Sequence, residues 1–221
     1  SYAQTEAGIV SNLRPEEQLE RPESIGRPVP GVEVRIVDDQ FNELPVGEAG
    51  EVLVRCGHPG QAMVMRKYFN RPEDTRDAFR DGWLRTGDIC RINSDGYLYF
   101  VDRLKDMIVS GGLNIYAKEV ELAIGSHPDV ADAAVVGVPD VEFGEAVLAF
   151  VELELGSALG EAAVIDHCRS LIASYKKPRF VCFVREMPRT ASGKVRKQVL
   201  VREVLGDLTD PDAAWRQGSS R

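Results

Sequence analysis

The sequence contains no apolar run near the ~20 residues that a bilayer-crossing helix requires. Its longest apolar stretches, such as Ala133 to Val138, are far shorter, so no transmembrane segment is expected. It has no basic block either. The 27 Lys and Arg residues stand against 35 Asp and Glu, a formal net charge of -8, which argues against a surface built to coat a polyanion and against nucleic acid as a partner. The cysteines, Cys56, Cys90, Cys168 and Cys182, are scattered with no CxxC pair, and His58, His127 and His167 supply no HxxxH set. Neither group has the spacing of a zinc site, and the cysteines read as reduced core or surface residues. Residues 1–20 lack a basic leader, an apolar core and a small-residue cleavage site, so a cytoplasmic setting is expected. No internal repeat or low-complexity tract is present.

What the sequence does have is enough apolar material, 43% hydrophobic residues over 221, for one large domain or two modest ones. Val32 to Asp39 alternates apolar and polar residues before an Asp-Asp turn, and Gly50 to Cys56 repeats the pattern, as half-buried strands do. The turn sequence Asn93 to Gly96 sits between two strand-like runs, so a hairpin is expected over residues 88–101. Arg71 to Phe79, with an early Pro and acids in its first turn, is the one good helical candidate in this β-rich half.

Beyond Asp102 to Asp106 the rhythm changes. Helical periodicity over 117–127 and 161–173 alternates with strand-like runs over 130–138, 144–153 and 179–184, and Lys194 to Leu205 has the period of a closing helix. The expected fold class is α+β: a β-rich subdomain, either a small distorted barrel or a sheet, over 1–101, a boundary at 102–105, and a smaller α+β domain over 106–221. The tail from Gly206 is polar and expected to fray.

The segment Pro188 to Lys197, PRTASGKVRK, places a lysine after a Ser-Gly pair, as a phosphate loop does. A Walker loop needs GxxxxGK[ST], so that backbone N–H groups surround the phosphates and a hydroxyl meets magnesium. Here the first glycine is missing and Val195 follows the lysine, so the segment is not that loop. By itself Lys194 is a solvated lysine at a helix start; the hydrogen-bonding loop of Thr190, Ser192 and Gly193 before it suits delivery of a long cationic side chain to a site.

Five segments in order resemble the adenylate-forming superfamily of acyl-CoA synthetases, peptide-synthetase adenylation domains and luciferases. They are Tyr2 to Glu6, Trp83 to Asp88, Asp102 to Glu121, His127 to Asp140, and Pro188 to Lys197. Any one alone is weak; the specificity lies in the ordered set. The resemblance implies a β-rich C-terminal part of the large AMP-binding domain, a hinge, and a small lid. It implies a two-step reaction in which a carboxylate and ATP give an acyl adenylate and pyrophosphate, after which CoA displaces AMP.

On the matching positions the resemblance assigns roles. Lys194 corresponds to the lysine that bridges acyl oxygen and α-phosphate, Asp88 to the carboxylate accepting the ribose hydroxyls, and Arg103 to a ribose-contacting arginine. Tyr2 corresponds to the residue stacked on adenine, Thr5 to an α-phosphate hydrogen bonder, and Glu6 to the magnesium ligand, an oxygen donor of the kind magnesium prefers. Lys105 falls at the hinge, and Gly111 and Gly112 in the loop that admits the pantetheine arm of CoA. Taken singly, Asp88 is a turn aspartate, Arg103 a surface residue and the glycine pair an ordinary turn.

Ala3 stands where the family usually has glycine, Val109 where lysine is frequent, and Ala117 where proline is common. The family's phosphate loop and most of its acyl pocket belong before Tyr2, so the chain is expected to be the C-terminal piece of a longer enzyme, inactive alone, with its first thirty residues loosely held. Within the family the expectation is a ligase that joins a fatty acid to CoA. The alternatives are a peptide-synthetase-like adenylation domain and a non-catalytic binding remnant.

Overall fold

The computed structural model of the chain describes residues 1–56 and 64–206. These divide into two compact units, the first being Ser1–Lys105 and the second beginning at Asp106. His58 and the polar tail after Gly206 lie outside the described residues.

The first unit is sheet-rich because its apolar residues recur every second position. Its strands are β1 (Tyr2–Gln4), β2 (Gly8–Asn12), β3 (Ser24–Pro28), β4 (Val32–Val37), β5 (Ala49–Cys56), β6 (Phe79–Arg80), β7 (Trp83–Ile92) and β8 (Leu98–Arg103). They form one antiparallel eight-stranded sheet in the order β1-β2-β3-β8-β7-β5-β4, with β6 paired to β7. No pairing closes β1 onto β4 among the described residues, so the sheet is open and the barrel alternative is set aside. Alternation sends Val52 and Val54 to a core with Val10, Ile36, Leu84 and Leu98, while Leu53 joins Val37 and Trp83 on the opposite face. The Trp83 ring is covered there by the guanidinium groups of Arg35 and Arg55, at 4.5 and 4.4 Å from its centre. The one α-helix among the described residues of this unit, α1 (Pro72–Asp77), lies within the helical stretch the sequence predicts.

The first thirty residues differ from expectation. They are paired into the sheet through β1, β2 and β3, with Tyr2, Ala7, Val10 and Ser11 buried. Ser11 donates to the Ile25 carbonyl at 2.7 Å, and a Cβ on Gly26 would stand 2.0 Å from the Asn12 carbonyl carbon, so the two strands meet where only glycine fits. Ladder bonds and buried apolar contacts within this unit are sufficient to order the segment.

The second unit packs helices on a mixed sheet. Strands β9 (Ile108–Ser110), β10 (Leu113–Ile115), β11 (Val130–Asp140) and β12 (Gly144–Leu153) run β10-β9-β12-β11, and β13 (Phe180–Val184) adds to β12 in parallel. Helices α2 (Ala117–Gly125) and α3 (Glu161–Leu171) cover one face through Val120, Ile124, Val164 and Cys168. Met187 and Leu200 close the other over Leu148 and Phe150. Burial on both faces is why Ala146 to Val151 is a continuous apolar run instead of an alternating one.

The closing helix is shorter than its periodicity predicts: α4 spans Lys197–Leu200 and passes into a π-helical turn over Val201–Leu205. Residues 194–196 cannot wind because their backbone is engaged elsewhere. The Arg196 N–H donates to the Pro188 carbonyl at 2.7 Å, and Arg189 pairs with Val195 in an antiparallel bridge. Among the described residues no helix is long and apolar enough to cross a membrane.

Candidate functional site

In the first unit the candidate residues gather around Asp88, which lies on β7 opposite Arg103 of β8. Asp88 is only 7% exposed. Its Oδ2 accepts the Tyr2 hydroxyl at 2.7 Å and the Gln4 side-chain amide at 2.5 Å, while its Oδ1 lies 3.8 Å from the Arg103 guanidinium. Burial, and then the hydrogen bond to Asp88, push the Tyr2 phenol well above its ordinary range. The phenol therefore stays a neutral donor and the carboxylate the acceptor. Two residues further along β7, burial followed by the Asp88 charge pushes the Cys90 thiol up to about 12, which keeps it protonated and unreactive near neutral pH.

The irregular stretch of β7 that presents Asp88 is held by neighbouring side chains. Gly87 has φ +66°, a left-handed conformation that its neighbours could not adopt without strain. Glu51 on β5 takes the Arg85 guanidinium at two points, Nε at 3.1–3.2 Å and Nη2 at 2.9 Å, and accepts the Gly87 N–H at 3.3 Å. Thr86 donates its hydroxyl to the Val52 carbonyl at 2.8 Å and accepts the Asp88 N–H at 3.1 Å. Each partner is thus a bond to the backbone or an ion pair, which fixes the direction of the Asp88 side chain.

Thr5 and Glu6 sit in the turn between β1 and β2, with Thr5 exposed and Glu6 half-buried. Glu6 accepts the Tyr68 hydroxyl at 3.0 Å, and its carbonyl accepts the Met65 N–H at 2.6 Å. Burial and the Glu6 hydrogen bond raise the Tyr68 phenol, which keeps it a donor to Glu6. No cluster of three or more His, Cys, Asp or Glu occurs among the described residues. A magnesium ion at Glu6 therefore fits only with its remaining ligands taken from water and substrate phosphate, which is its usual habit. Lys105 is exposed in a short 3-10 turn, Leu104–Asp106, directly after Arg103.

In the second unit, Gly111 and Gly112 are the two-residue turn of the β9–β10 hairpin, with φ +58° and +78°. Two consecutive positive φ values favour glycine at both positions. The Gly111 N–H donates to the Phe143 carbonyl at 2.8 Å, and a Cβ on it would stand 3.2 Å from the Phe143 ring. Lys194 is exposed at the end of a tight loop. Thr190 donates its N–H to the Lys194 carbonyl at 2.8 Å and accepts the Lys194 N–H on its hydroxyl at 3.1 Å. Arg189 closes the loop, donating to the Gly193 carbonyl at 2.9 Å and ion-pairing with Asp132 of β11. Among the described residues the Lys194 ammonium makes no ion pair, so its charge remains available to an anion.

Gln4 and Glu51 were not singled out by the sequence. Gln4 occupies the variable position of the Tyr2 to Glu6 motif, and the partners of both lie far along the chain, so no local pattern marks them.

The chain thus carries an open sheet with a carboxylate–guanidinium pair and, further along, a small α+β unit with a looped lysine. Residues 1–69 match the AMP-binding enzyme family and residues 119–194 match the AMP-binding enzyme C-terminal domain; the chain belongs to the AMP-binding enzyme family. A long-chain-fatty-acid–CoA ligase from Salmonella typhimurium is 40% identical over 94% of this chain and 36% of its own length. The amide bond synthetase McbA from Marinactinospora thermotolerans matches with TM-score 0.79 at 40% identity, over 92% of this chain and 41% of that one. The o-succinylbenzoate CoA synthetase MenE from Bacillus subtilis, in complex with its acyl-adenylate intermediate OSB-AMP, gives TM-score 0.78 at 36% identity, over 90% and 40%. The chain thus spans well under half the length of these relatives.

Proposed function

We propose that the chain is the C-terminal part of an AMP-forming acid–thiol ligase that activates a fatty acid with ATP and transfers it to CoA. The observation that carries this reading is the convergence on Asp88: a buried, acceptor-only carboxylate with Oδ1 free of hydrogen bonds among the described residues, flanked by Arg103. That is the equipment for a vicinal diol such as a ribose.

In the first step a carboxylate oxygen attacks the α-phosphorus of ATP, and the bond to the bridging oxygen of pyrophosphate breaks. Two anions must approach, so the barrier is largely electrostatic, and a positioned cation stabilises the charge gathering between them. Lys194 supplies that cation from its loop. Asp88 and Arg103 hold the ribose, Tyr2 the adenine and Thr5 the α-phosphate. Glu6 would hold magnesium, whose contribution is to neutralise phosphate charge. In the second step the CoA sulfur attacks the acyl carbon, AMP leaves with the anhydride oxygen, and the thiol proton passes to solvent. Gly111 and Gly112 line the approach of the pantetheine arm, where a side chain would narrow it. Lys105 is the hinge about which the second unit presents first Lys194 and then the glycine pair, so that one lid serves both steps.

The fatty-acid assignment rests on the fatty-acid ligase among the relatives. The test is thioester formation by the intact gene product with ATP and CoA across a panel of aliphatic and aromatic acids. Release of AMP with acyl-CoA from long-chain acids is expected. Adenylate formation followed by transfer to an amine instead of CoA would replace the thiol-ligase reading, and no pyrophosphate exchange with any acid would overturn it. The 221-residue chain alone is expected to give no exchange.

A further inference from the structure

Asp88 has about four lone-pair sites on its two oxygens, and how they are divided decides what a ligand meets. Oδ2 is filled by the Tyr2 hydroxyl at 2.7 Å and the Gln4 amide at 2.5 Å, whereas no hydrogen bond reaches Oδ1 among the described residues. The Gln4 Nε2 also donates to the Thr86 carbonyl at 3.0 Å. Both of its neighbours are acceptors, so only the NH₂ end of the side chain can face them, and the two N–H bonds are shared between loop backbone and carboxylate. Gln4 therefore ties β1 to the Thr86–Asp88 stretch of β7 at two points. A tyrosine hydroxyl alone leaves the carboxylate a pivot; two donors on one oxygen remove it.

We propose that Gln4 is a positioning residue for nucleotide binding, which clamps Oδ2 of Asp88 so that Oδ1 is presented to the ribose hydroxyls. This deepens the assignment of Asp88 as the ribose acceptor and rests on it. Its consequence is specific. Removing the Gln4 donor weakens binding only through the ribose diol, so its effect depends on whether the ligand carries that diol.

The experiment compares AMP with 2′,3′-dideoxy-AMP by calorimetry on the intact gene product, for the parent protein and for Gln4→Met and Gln4→Glu. Methionine keeps the length without the donor, and glutamate keeps the shape while placing an acceptor against Asp88. Hydrogen bonds to a charged acceptor predict that the parent prefers AMP by roughly tenfold or more. Both variants are expected to bring the preference within about threefold, with dideoxy-AMP affinity little changed. The preference is a ratio measured within each variant, so a general loss of folded protein cancels from it. A parent that discriminates, with variants that discriminate equally, overturns the role of Gln4. A parent that binds the two nucleotides equally, or binds neither, overturns the reading of Asp88 itself.

Discussion

Glu51 of β5 and Arg85 of β7, offset diagonally across the ladder, form a two-point ion pair, and the same Glu51 carboxylate accepts the Gly87 N–H that precedes Asp88. Stability and the candidate site are joined there, because the pair that holds the two strands also sets the bulge of β7 that carries Asp88. Glu51→Ala leaves a partly buried guanidinium and an orphaned N–H, at a cost of about 2–4 kcal/mol. Urea unfolding measures it. The double variant with Arg85→Met is expected to be more stable than the sum of the two single losses, since both remove the same interaction.

Raised proton affinities make the first unit sensitive to alkali. The Cys90 thiol, at about 12 in the folded chain, remains protonated where an unfolded thiol has already ionised. Its contribution is whole below the unfolded value of roughly 8.5 and is lost as pH rises towards the folded one. The Tyr2 phenol, also raised, acts in the same direction. Stability measured from pH 8 to 11 should fall, by up to about 1.4 kcal/mol per pH unit for each such group once its unfolded form ionises. Cys90→Ala is expected to show a shallower fall than the parent, whatever its starting stability; equal slopes would contradict the assignment.

Arg189 and Asp132 hold the loop that ends in Lys194. Arg189→Gln or Asp132→Asn should slow acyl-adenylate formation by roughly tenfold, by letting the lysine wander from its working position. Thiolysis of supplied acyl adenylate should be nearly unaffected. Equal slowing of both half-reactions would show that the pair serves general stability instead.

The physical origin of each signal explains which parts of this molecule are legible in its sequence. Strand β12 announces itself because both faces are covered and its apolar run is unbroken, and α2 and α3 because only one stripe of each is buried. The closing helix misleads: Val195, Val199 and Leu200 keep a helical period while backbone bonds back to Pro188 and Thr190, within the same local loop, hold the first turn open. The first thirty residues read as loose because their packing partners are expected to lie before Tyr2; instead β1 pairs with β2, β2 with β3, and β3 with the distant β8. Among the candidate residues, charged groups within ordered motifs, Asp88 and Lys194, stand out. Gln4 and Glu51 do not, since a glutamine and a glutamate gain meaning only from the carboxylate and the guanidinium that folding brings to them.

The most direct measurement of the central claim is Lys194→Ala in the intact gene product, assayed separately in each half-reaction. If this ammonium neutralises the meeting of carboxylate and α-phosphate, pyrophosphate exchange should fall by about 100-fold or more while thiolysis of supplied acyl adenylate persists. Exchange at the parental rate would contradict the account.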